Sequence, residues 1–417
     1  MANRNVMKVK EKKDRYQVCY MSGDDSGFDM MEGALVVLDA MELPIDWVRA
    51  DLGWCMWEKS VAKFGEGDPR CNTVPPETIE KIKNTDATLM AAITSKPGVK
   101  GFKSAILQMR QLFDLYINLR PAKTLPGVGT PLKGDPKIDL VMFRENTEDL
   151  YAAVEFRPLP AEMYEMHKGM ERFKTKGETA VSWRVYSEEG CERIIRASFE
   201  YAKATGRKKV TNCNKANVIR ATDGMMKEIF FKVAKDYPEI EAVEENADAT
   251  AMWLIKNPQD YDVVVASNVF GDILSDEASQ LTGGLGFAPS GNIGATTAIF
   301  EPSSGSVPKY AHQYRVNPCG MLMTAKMMLD YLDMEDQGAR LEKAIGEVLS
   351  EGKVLTYDVL RDFRHDPNWE KNAASTIEMA AAVGQKLNPA FTGKRLEEAK
   401  AKAKEMCDPA KIVGFED

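Results

Sequence analysis

The chain has 417 residues and a formal net charge of -8, and 28% of its residues are charged. This charge balance argues against wide contact with nucleic-acid phosphates, and the apolar runs fall short of the roughly 20 residues needed to span a bilayer. At about 100–200 residues per domain, the length predicts two or three domains.

The pattern of the cysteines and the charge of the N-terminal segment indicate in which cellular compartment the protein is expected. The seven cysteines are scattered and include no Cys-x-x-Cys pair, which favours reduced thiols over a disulfide framework or a zinc site. The first residues, MANRNVMKVKEKKDRY, are charged and contain no apolar stretch typical of a secretory signal. We therefore expect a cytoplasmic protein whose partners are small molecules, neither nucleic acid nor membrane.

Short apolar runs alternate with helical patterns along most of the chain. The runs that predict strands are RYQVCYM, IDWVRAD, ATLMAAI, KIDLVM, AVSWRVYS, KKVTNCN, IEAVEEN and YDVVVAS. The segments that predict helices are 27–43, 77–84, 187–205, 221–236 and 248–256. This alternation predicts an α/β fold around a sheet, followed by a mainly helical C-terminal part.

Three segments interrupt the alternation. Residues 121–136 are rich in proline and glycine and predict a surface connection, residues 157–180 are charged and predict an insertion or arm, and residues 283–292 predict a loop. None of the glycine-rich stretches fits Gly-x-Gly-x-x-Gly. The common dinucleotide fingerprint is therefore absent, and a nucleotide would have to be held in another way.

The segment SNVFGDILSD carries two carboxylates directly after the apolar strand YDVVVA. Asp272 and Asp276 are four residues apart and share one face of the helix predicted there. Two aligned carboxylates suit a hard divalent cation such as Mg²⁺ or Mn²⁺. The alternative is a solvated helix face, with Asp272 near the positive end of the helix dipole. A position at the carboxyl end of a strand, where α/β sheets bind ligands, keeps both interpretations open.

Arginine and tyrosine side chains supply further candidates, because the chain has only three histidines. Arg144 and Tyr151 flank an acidic stretch in FRENTEDLY, where the arginine can bind a carboxylate and the tyrosine can donate a proton. Arg110 and Arg120 are ten residues apart and suit a di- or tricarboxylate, unless they lie on an exposed helix face.

Four segments carry a resemblance over nearly the whole chain. They are FRENTEDLYAAVEF, NKANV, GDILSDEASQLTGGLGFAPSGNIG, and FEPSSGSVPKYA with a following VNP. Their order and spacing resemble the metal-dependent β-decarboxylating dehydrogenases, which act on isocitrate, isopropylmalate or homoisocitrate. The likeness is greatest to the bacterial-type NADP-dependent isocitrate dehydrogenases.

The resemblance implies a fold and a domain organisation. The fold is the α/β fold of isocitrate/isopropylmalate dehydrogenases, with two α/β domains and a clasp-like arm, and it is not a Rossmann fold. Residues 1–115 and 283–417 would form a large coenzyme-binding domain, and residues 116–282 a small domain. An arm at about 157–185 would clasp a second copy in a homodimer.

The resemblance also implies a substrate clamp. Arg110, Arg120 and Arg144 would bind the carboxylates of a 2-hydroxy acid, with Ser104 where its variable arm is received. Isocitrate enzymes have an asparagine at the position of Ile106, whose apolar side chain cannot donate a hydrogen bond. Homoisocitrate and 3-isopropylmalate therefore remain alternatives to isocitrate, the substrate that the resemblance favours.

A catalytic set follows from the same resemblance. Asp272 and Asp276 would hold Mg²⁺ or Mn²⁺ together with Asp248, which, like Lys215, would come from the partner subunit of an obligate homodimer. Lys215 and Asp248 would help to remove the hydroxyl proton as hydride leaves for the nicotinamide. Tyr151, assisted by Lys215, would protonate the enolate left by the loss of CO₂. Because all five residues are present, we disfavour the alternative of a non-catalytic regulatory subunit of a heteromeric dehydrogenase.

The segment FEPSSGSVPKY, residues 300–310, would be the coenzyme loop. Relatives that use NAD have an aspartate where this chain has Lys309, which Tyr310 follows. Tyr357 and Arg361, four residues apart in TYDVLR, match the pair found in NADP-dependent relatives. The resemblance thus implies NADP, because Lys, Arg and Tyr bind a ribose 2′-phosphate.

Further residues are expected at the coenzyme. They are Thr94, Ser95, Glu301, Gly305 and Asn317. Thr94, Ser95 and Glu301 would lie on the nicotinamide side. Ser304 stands where relatives have a histidine against the adenine, and a serine cannot stack, which leaves Asn317 as the expected adenine contact.

Overall fold

The computed structural model describes residues 7–96 and 98–412. Its main element is a ten-stranded sheet, and a second sheet has two strands. Residues 1–6, part of the N-terminal segment that lacks a secretory pattern, are outside the described residues. The strands are β1 (Tyr16–Met21), β2 (Ile45–Arg49), β3 (Ala87–Met90), β4 (Ile117–Lys123), β5 (Asp139–Glu145), β6 (Glu155–Phe156), β7 (Val181–Ser182), β8 (Lys209–Asn214), β9 (Glu241–Asn246), β10 (Val263–Ala266), β11 (Pro289–Ile293) and β12 (Ala298–Pro302).

The α-helices cover the faces of this sheet and form most of the C-terminal part. They are α1 (Gly27–Ala40), α2 (Trp54–Phe64), α3 (Pro76–Lys83), α4 (Ala105–Leu112), α5 (Met163–Met166), α6 (Glu188–Thr205), α7 (Thr222–Ala234), α8 (Ala247–Lys256), α9 (Asn268–Leu281), α10 (Cys319–Tyr331), α11 (Glu335–Glu351), α12 (Trp369–Asn372), α13 (Thr376–Leu387) and α14 (Gly393–Met406). A π-helical segment covers Val359–Phe363. Over the described ranges, no helix is both long and apolar enough to cross a membrane.

The sheet has two parallel flanks around an antiparallel centre. Its order is β2-β1-β3-β12-β11-β4-β5-β10-β8-β9, and the antiparallel pairs are β12–β11, β11–β4 and β4–β5. The strands of residues 1–115 and 283–417 occupy one half of this order, and those of 116–282 the other. The division of the chain into two domains at these bounds stays a prediction.

The buried strand β10 shows why the sheet needs helices on both faces. Val263 and Val265 join the larger apolar cluster, to which α6 and α10 contribute, whereas Val264 and Ala266 join a second cluster with Leu274 of α9. Successive side chains of a strand point to opposite faces. An uninterrupted apolar run such as VVVA therefore indicates a strand that is covered on both sides.

Most of the predicted strands and helices are present, but three predicted segments are partly wrong. Residues 283–292 include the start of β11, and residues 121–136 begin within β4, whose Pro121 pairs with β5. Pairing with distant strands overrides the low local strand propensity of glycine and proline there. The run AVSWRVYS forms only the two-residue β7, and after it Arg184 forms an ion pair with Asp149.

The segment predicted as an arm is closed by the pairing of β6 with β7. Phe156 lies opposite Val181, and the Phe156 and Trp183 ring centres are 5.6 Å apart. Between these strands the chain forms α5 and a 3-10 helix over Lys168–Phe173. The part of this arm in a dimer stays a prediction.

Gly271 allows α9 to approach the end of β5 closely. A Cβ placed on Gly271 would lie 2.8 Å from both Cβ and Cγ of Arg144 and 3.1 Å from its Cα. These atoms are at or next to the backbone, so they cannot swing aside. Gly271 therefore sets the distance between α9 and β5, the two elements that carry much of the site described below.

We expect Gly271→Ala to lower the free energy of unfolding by about 1–3 kcal/mol, because the added methyl group overpacks this contact. Gly224→Ala on α7 is the matched control, since a Cβ there meets no atom within 4 Å and alanine favours a helix by up to ~1 kcal/mol. Denaturant unfolding measures both variants. Equal stability of the two would contradict a close contact at Gly271.

Candidate active site

Arg144 and Asp272 form the centre of the site. Arg144, on β5, is 1% exposed, and its Nε and Nη2 donate to Oδ1 of Asn268 at 2.9 and 2.7 Å. Its Nη1 donates to Oδ1 of Asp272. Burial and the neighbouring charges of Arg120 and Arg110 lower the pKa of Arg144, yet a guanidinium stays protonated in proteins. A buried cation at the end of β5 is thus held by an amide and a carboxylate of α9.

Arg120 joins Asp272 to Asp276. Its Nη1, reaching from β4, donates to Oδ1 of Asp272 at 3.1 Å, to Oγ of Ser275 at 2.7 Å and to Oδ1 of Asp276 at 3.3 Å. Burial would raise the pKa of Asp272, but the charges of Arg144 and Arg120 lower it below its ordinary value. Burial raises the pKa of Asp276. Both aspartates therefore belong to a charged cluster, in which Asp272 is half-buried and Asp276 stays exposed.

Arg110 rests on a buried network of asparagines that the sequence patterns do not predict. Its Nε donates to Oδ1 of Asn292 at 3.0 Å, and the same oxygen accepts from Nδ2 of Asn118 at 2.9 Å and of Asn146 at 3.0 Å. Nδ2 of Asn292 donates to Oε1 of Glu301 at 2.8 Å, and Nη2 of Arg110 lies 3.5 Å from that oxygen. The sequence contains one sign of this network, an asparagine within an apolar strand, as in INLR, because a buried amide needs hydrogen-bond partners.

Tyr151 directs its hydroxyl into this cluster. The hydroxyl donates to Oδ2 of Asp272 at 2.6 Å, and the guanidinium carbon of Arg144 lies 4.9 Å from the ring centre. Burial and the hydrogen bond to Asp272 raise the pKa of Tyr151. The hydroxyl therefore keeps its proton at neutral pH and is placed to donate it.

The formal charges of the cluster are balanced. Three guanidinium groups face three carboxylates, and they are Arg110, Arg120, Arg144, Asp272, Asp276 and Glu301. A divalent cation would make this balance positive. The cluster would then attract a ligand that carries several carboxylates.

Lys215 and Asp248 form a separate pair. Nζ of Lys215 makes an ion pair with Oδ1 of Asp248, whose side chain is 71% exposed, and the hydrogen bond from Lys215 lowers the pKa of Asp248. No group of three acidic, histidine or cysteine side chains suited to a metal occurs among residues 7–96 and 98–412. Within one chain, Asp248 therefore does not complete a ligand set with the aspartates of α9.

Asp272 and Asp276 have the donor chemistry of a site for Mg²⁺ or Mn²⁺. Both present carboxylate oxygens on one face of α9, and both are bridged by the same nitrogen of Arg120. Hard divalent cations take six or more oxygen ligands. The two carboxylates fit such a cation, provided that water, a substrate or a second copy of the chain supplies the remaining oxygens.

Ser104 and Ile106 lie at the start of α4. Ser104 precedes the helix without capping it through its side chain, and its Oγ accepts from Oγ of Ser95 at 3.4 Å. Ile106 packs in part against the apolar cluster around Met109. The hydroxyl of the half-buried Ser104 thus does not cap the helix, while the apolar character of Ile106 has a packing role.

Asp25 connects Thr94 to the coenzyme loop, another contact that the sequence patterns do not predict. Oγ1 of Thr94 donates to Oδ2 of Asp25, and Oγ of Ser306 donates to the same oxygen at 3.3 Å. Asp25 has a φ of 51°, a left-handed conformation that is uncommon outside glycine. The adjacent Asp24 accepts the backbone N–H of Thr94 at 2.9 Å and of Trp54 at 2.8 Å. These bonds fix the coenzyme loop against the end of β3.

Tyr310 and Tyr357 are the centre of an aromatic and cationic cluster at the other end of the coenzyme loop. Their ring centres are 5.6 Å apart. Nζ of Lys309 lies 4.8 Å from the Tyr310 ring, and the Arg361 guanidinium lies 5.5 Å from the Tyr357 ring. The structure thus brings together the four residues expected at a 2′-phosphate. It adds Arg315, whose guanidinium is 4.9 Å from the Tyr310 ring and 5.8 Å from that of Tyr357.

The other residues expected at the coenzyme differ in the space around them and in their hydrogen-bond partners. A Cβ at Gly305 would meet no atom within 4 Å, so the loop leaves open space there. The side chain of Asn317 donates to Asp358 at 2.9 Å and accepts the N–H of Cys319 at 2.9 Å, so both of its polar ends are engaged. Oγ of Ser303 is buried and has no hydrogen-bond partner within the described residues.

Known proteins resemble this chain over most of its length. Residues 17–383 match the family model of isocitrate/isopropylmalate dehydrogenase. The chain is 37% identical over 371 residues to the 3-isopropylmalate dehydrogenase of Methanothermobacter thermautotrophicus, which covers 89% of this chain and 98% of that protein. It is 40% identical over 348 residues to the homoisocitrate dehydrogenase of Methanocaldococcus jannaschii, covering 81% and 91%. The crystal structure of isocitrate dehydrogenase from Methylococcus capsulatus superimposes with a TM-score of 0.76 at 33% identity, covering 89% and 99%.

We expect Asn292→Leu to lower the free energy of unfolding by about 3 kcal/mol, because it removes an oxygen that accepts from three buried nitrogens, those of Arg110, Asn118 and Asn146. The control is Asn368→Leu at an exposed position, where the change should stay within about 0.5 kcal/mol. Denaturant unfolding measures both. A loss at Asn292 no larger than at Asn368 would show that the network does not hold Arg110 in place.

Proposed function

The chain belongs to the isocitrate/isopropylmalate dehydrogenase family, and on that premise we propose that it oxidises isocitrate with NADP⁺ to 2-oxoglutarate, CO₂ and NADPH. The observation that carries the proposal is the pair of clusters at the two ends of the coenzyme loop. One end gathers Arg110 with the other arginines around Asp272. The other end gathers Lys309 and Arg361 around two tyrosine rings. The reaction would be a cytoplasmic step of the tricarboxylic acid cycle.

The choice of isocitrate rests on the charge of the arginine cluster. Three guanidinium groups suit a tricarboxylate, and the half-buried Ser104, whose hydroxyl does not cap α4, can receive a further polar group. Ile106 does not require an apolar substrate arm, since it packs partly against apolar neighbours inside the protein. Homoisocitrate and 3-isopropylmalate are the alternatives, because the relatives of similar identity include enzymes with those names.

The reaction assigns a role to each charged or titratable group. Arg110, Arg120 and Arg144 would bind the substrate carboxylates as Asp272 turns toward a cation. A bound Mg²⁺ or Mn²⁺ would polarise the substrate hydroxyl and stabilise negative charge on that oxygen. Tyr151, whose raised pKa keeps it protonated, would return a proton to the carbon from which CO₂ departs.

The proton of the substrate hydroxyl would pass to the pair of Lys215 and Asp248 of a second copy. This assignment is supported by the exposure of Asp248, whose side chain is 71% exposed and pairs with Lys215. Exposed apolar residues flank it on α8 and α9, where Met252 is 52%, Ile255 54% and Ile273 63% exposed. An apolar surface of this kind favours a protein partner. We therefore propose a homodimer with active sites shared between the two chains.

We expect the protein with Mg²⁺ to prefer isocitrate over homoisocitrate and 3-isopropylmalate by about 10- to 100-fold in kcat/KM, the effect of one charge-assisted hydrogen bond. With isocitrate, NADP⁺ should be reduced faster than NAD⁺. Initial rates for three substrates and two coenzymes provide the test. A reversed substrate order would refute the isocitrate assignment and leave the family membership unaffected.

Removal of divalent cations with a chelator should abolish turnover, and added Mg²⁺ should restore it. Asp272→Asn should also abolish turnover, but Asp272 holds Arg144 as well. Asp276→Asn leaves the contact with Arg144 intact and removes only a 3.3 Å contact with Arg120, and we expect it to weaken Mn²⁺ binding measured by calorimetry. Asp14→Asn, at an exposed position, is the control. Unchanged Mn²⁺ affinity in Asp276→Asn would exclude that carboxylate as a ligand.

A further inference from the structure

Arg315 contacts both tyrosine rings at the centre of the aromatic and cationic cluster, those of Tyr310 and Tyr357. It lies in the connection between the coenzyme loop and α10, and its guanidinium carbon is 4.9 Å from the ring centre of Tyr310. The same carbon is 5.8 Å from the ring centre of Tyr357, which precedes the π-helical segment. The guanidinium therefore lies between two rings that come from distant parts of the chain.

Within the described residues, the charge of Arg315 is in contact with aromatic rings and not with an acidic side chain. Over the ranges that the structure describes, its guanidinium makes no hydrogen bond or ion pair with a carboxylate. Arg361 differs, because its Nε and Nη2 donate to the two carboxylate oxygens of Asp362 at 2.6 and 2.8 Å. Lys309 resembles Arg315, because its Nζ lies 4.8 Å from the centre of the same Tyr310 ring. Two cations without a carboxylate partner thus flank Tyr310.

This arrangement leaves Arg315 better prepared than Arg361 to bind an anion. A guanidinium offers a planar fork of donors for a phosphate, and stacking on aromatic rings leaves the edge of that fork free. Side chains that are already held in place lose less conformational freedom when a ligand binds. Arg361 would first have to give up its bidentate contact with Asp362.

We propose that Arg315 selects the coenzyme by binding the ribose 2′-phosphate, and that it contributes more to this selection than Arg361. The inference rests on the proposed use of NADP. The competing explanation is structural: Arg315 would only join the Tyr310 and Tyr357 segments. In that case its loss would weaken NAD⁺ and NADP⁺ binding alike.

The test measures coenzyme affinity by calorimetry for the wild type, Arg315→Gln, Arg315→Lys and Arg361→Gln. The probes are NADP⁺, NAD⁺, 2′,5′-ADP and 5′-AMP. We expect Arg315→Gln to weaken NADP⁺ and 2′,5′-ADP by about 10- to 100-fold, the usual effect of a charge-assisted contact. NAD⁺ and 5′-AMP should change by less than about 2-fold. The affinity of Arg315→Lys for NADP⁺ and 2′,5′-ADP should lie between those of the wild type and Arg315→Gln, since a lysine keeps the charge but lacks the planar fork of donors.

The outcomes separate this inference from the proposed function. Suppose that the wild type prefers NADP⁺, but that Arg315→Gln lowers the affinity for all four probes equally or leaves all four affinities unchanged. Either result refutes the role of Arg315, and the coenzyme assignment stands. A larger selective loss in Arg361→Gln than in Arg315→Gln refutes it as well. A wild type that prefers NAD⁺ refutes the coenzyme assignment and this inference with it. Lys309→Asp, which should also lose NADP⁺ selectively, is the positive control, and thermal unfolding shows that each variant is folded.

Discussion

The buried guanidinium of Arg144 places the strongest constraint on this structure. A charge that is 1% exposed is strongly destabilising unless it is paired and hydrogen bonded. Its partners, Asn268 and Asp272, both come from the beginning of α9. The helix must therefore start where β5 ends, and Gly271 permits the close approach. The same contact aims Asp272 at Tyr151, so that a requirement of folding also sets the geometry of a titratable pair.

The sequence predicted the relative positions of side chains most accurately within one short segment, SNVFGDILSD. Asp272 and Asp276 lie on one helix face because their spacing is nearly one helical turn, a local property. The α/β alternation was predictable for the same reason. The strand β11 was not, since its proline and its one glycine disfavour strands and only pairing with β4 and β12 establishes it.

Contacts between distant segments account for what the sequence did not predict. Asn292 joins β11 to Arg110 on α4, Asp25 joins the end of β1 to the coenzyme loop, and Arg315 joins that loop to Tyr357. No spacing rule relates such positions, because each contact depends on how the whole chain folds. In these three cases a polar or charged side chain at an otherwise unremarked position was the only local signal.

The two ends of the coenzyme loop differ in their exposure to water, which gives them different sensitivities to dissolved salt. Lys309 and Arg361 are exposed, so mobile ions screen their attraction for a phosphate over a Debye length of about 8 Å at physiological ionic strength. Arg144 and Arg110 are buried against carboxylate partners, where screening is weak. Rising ionic strength therefore weakens the attraction of Lys309 and Arg361 for an anion before it disturbs the arginine cluster, so the ionic composition of the solution acts mainly on one end of this loop.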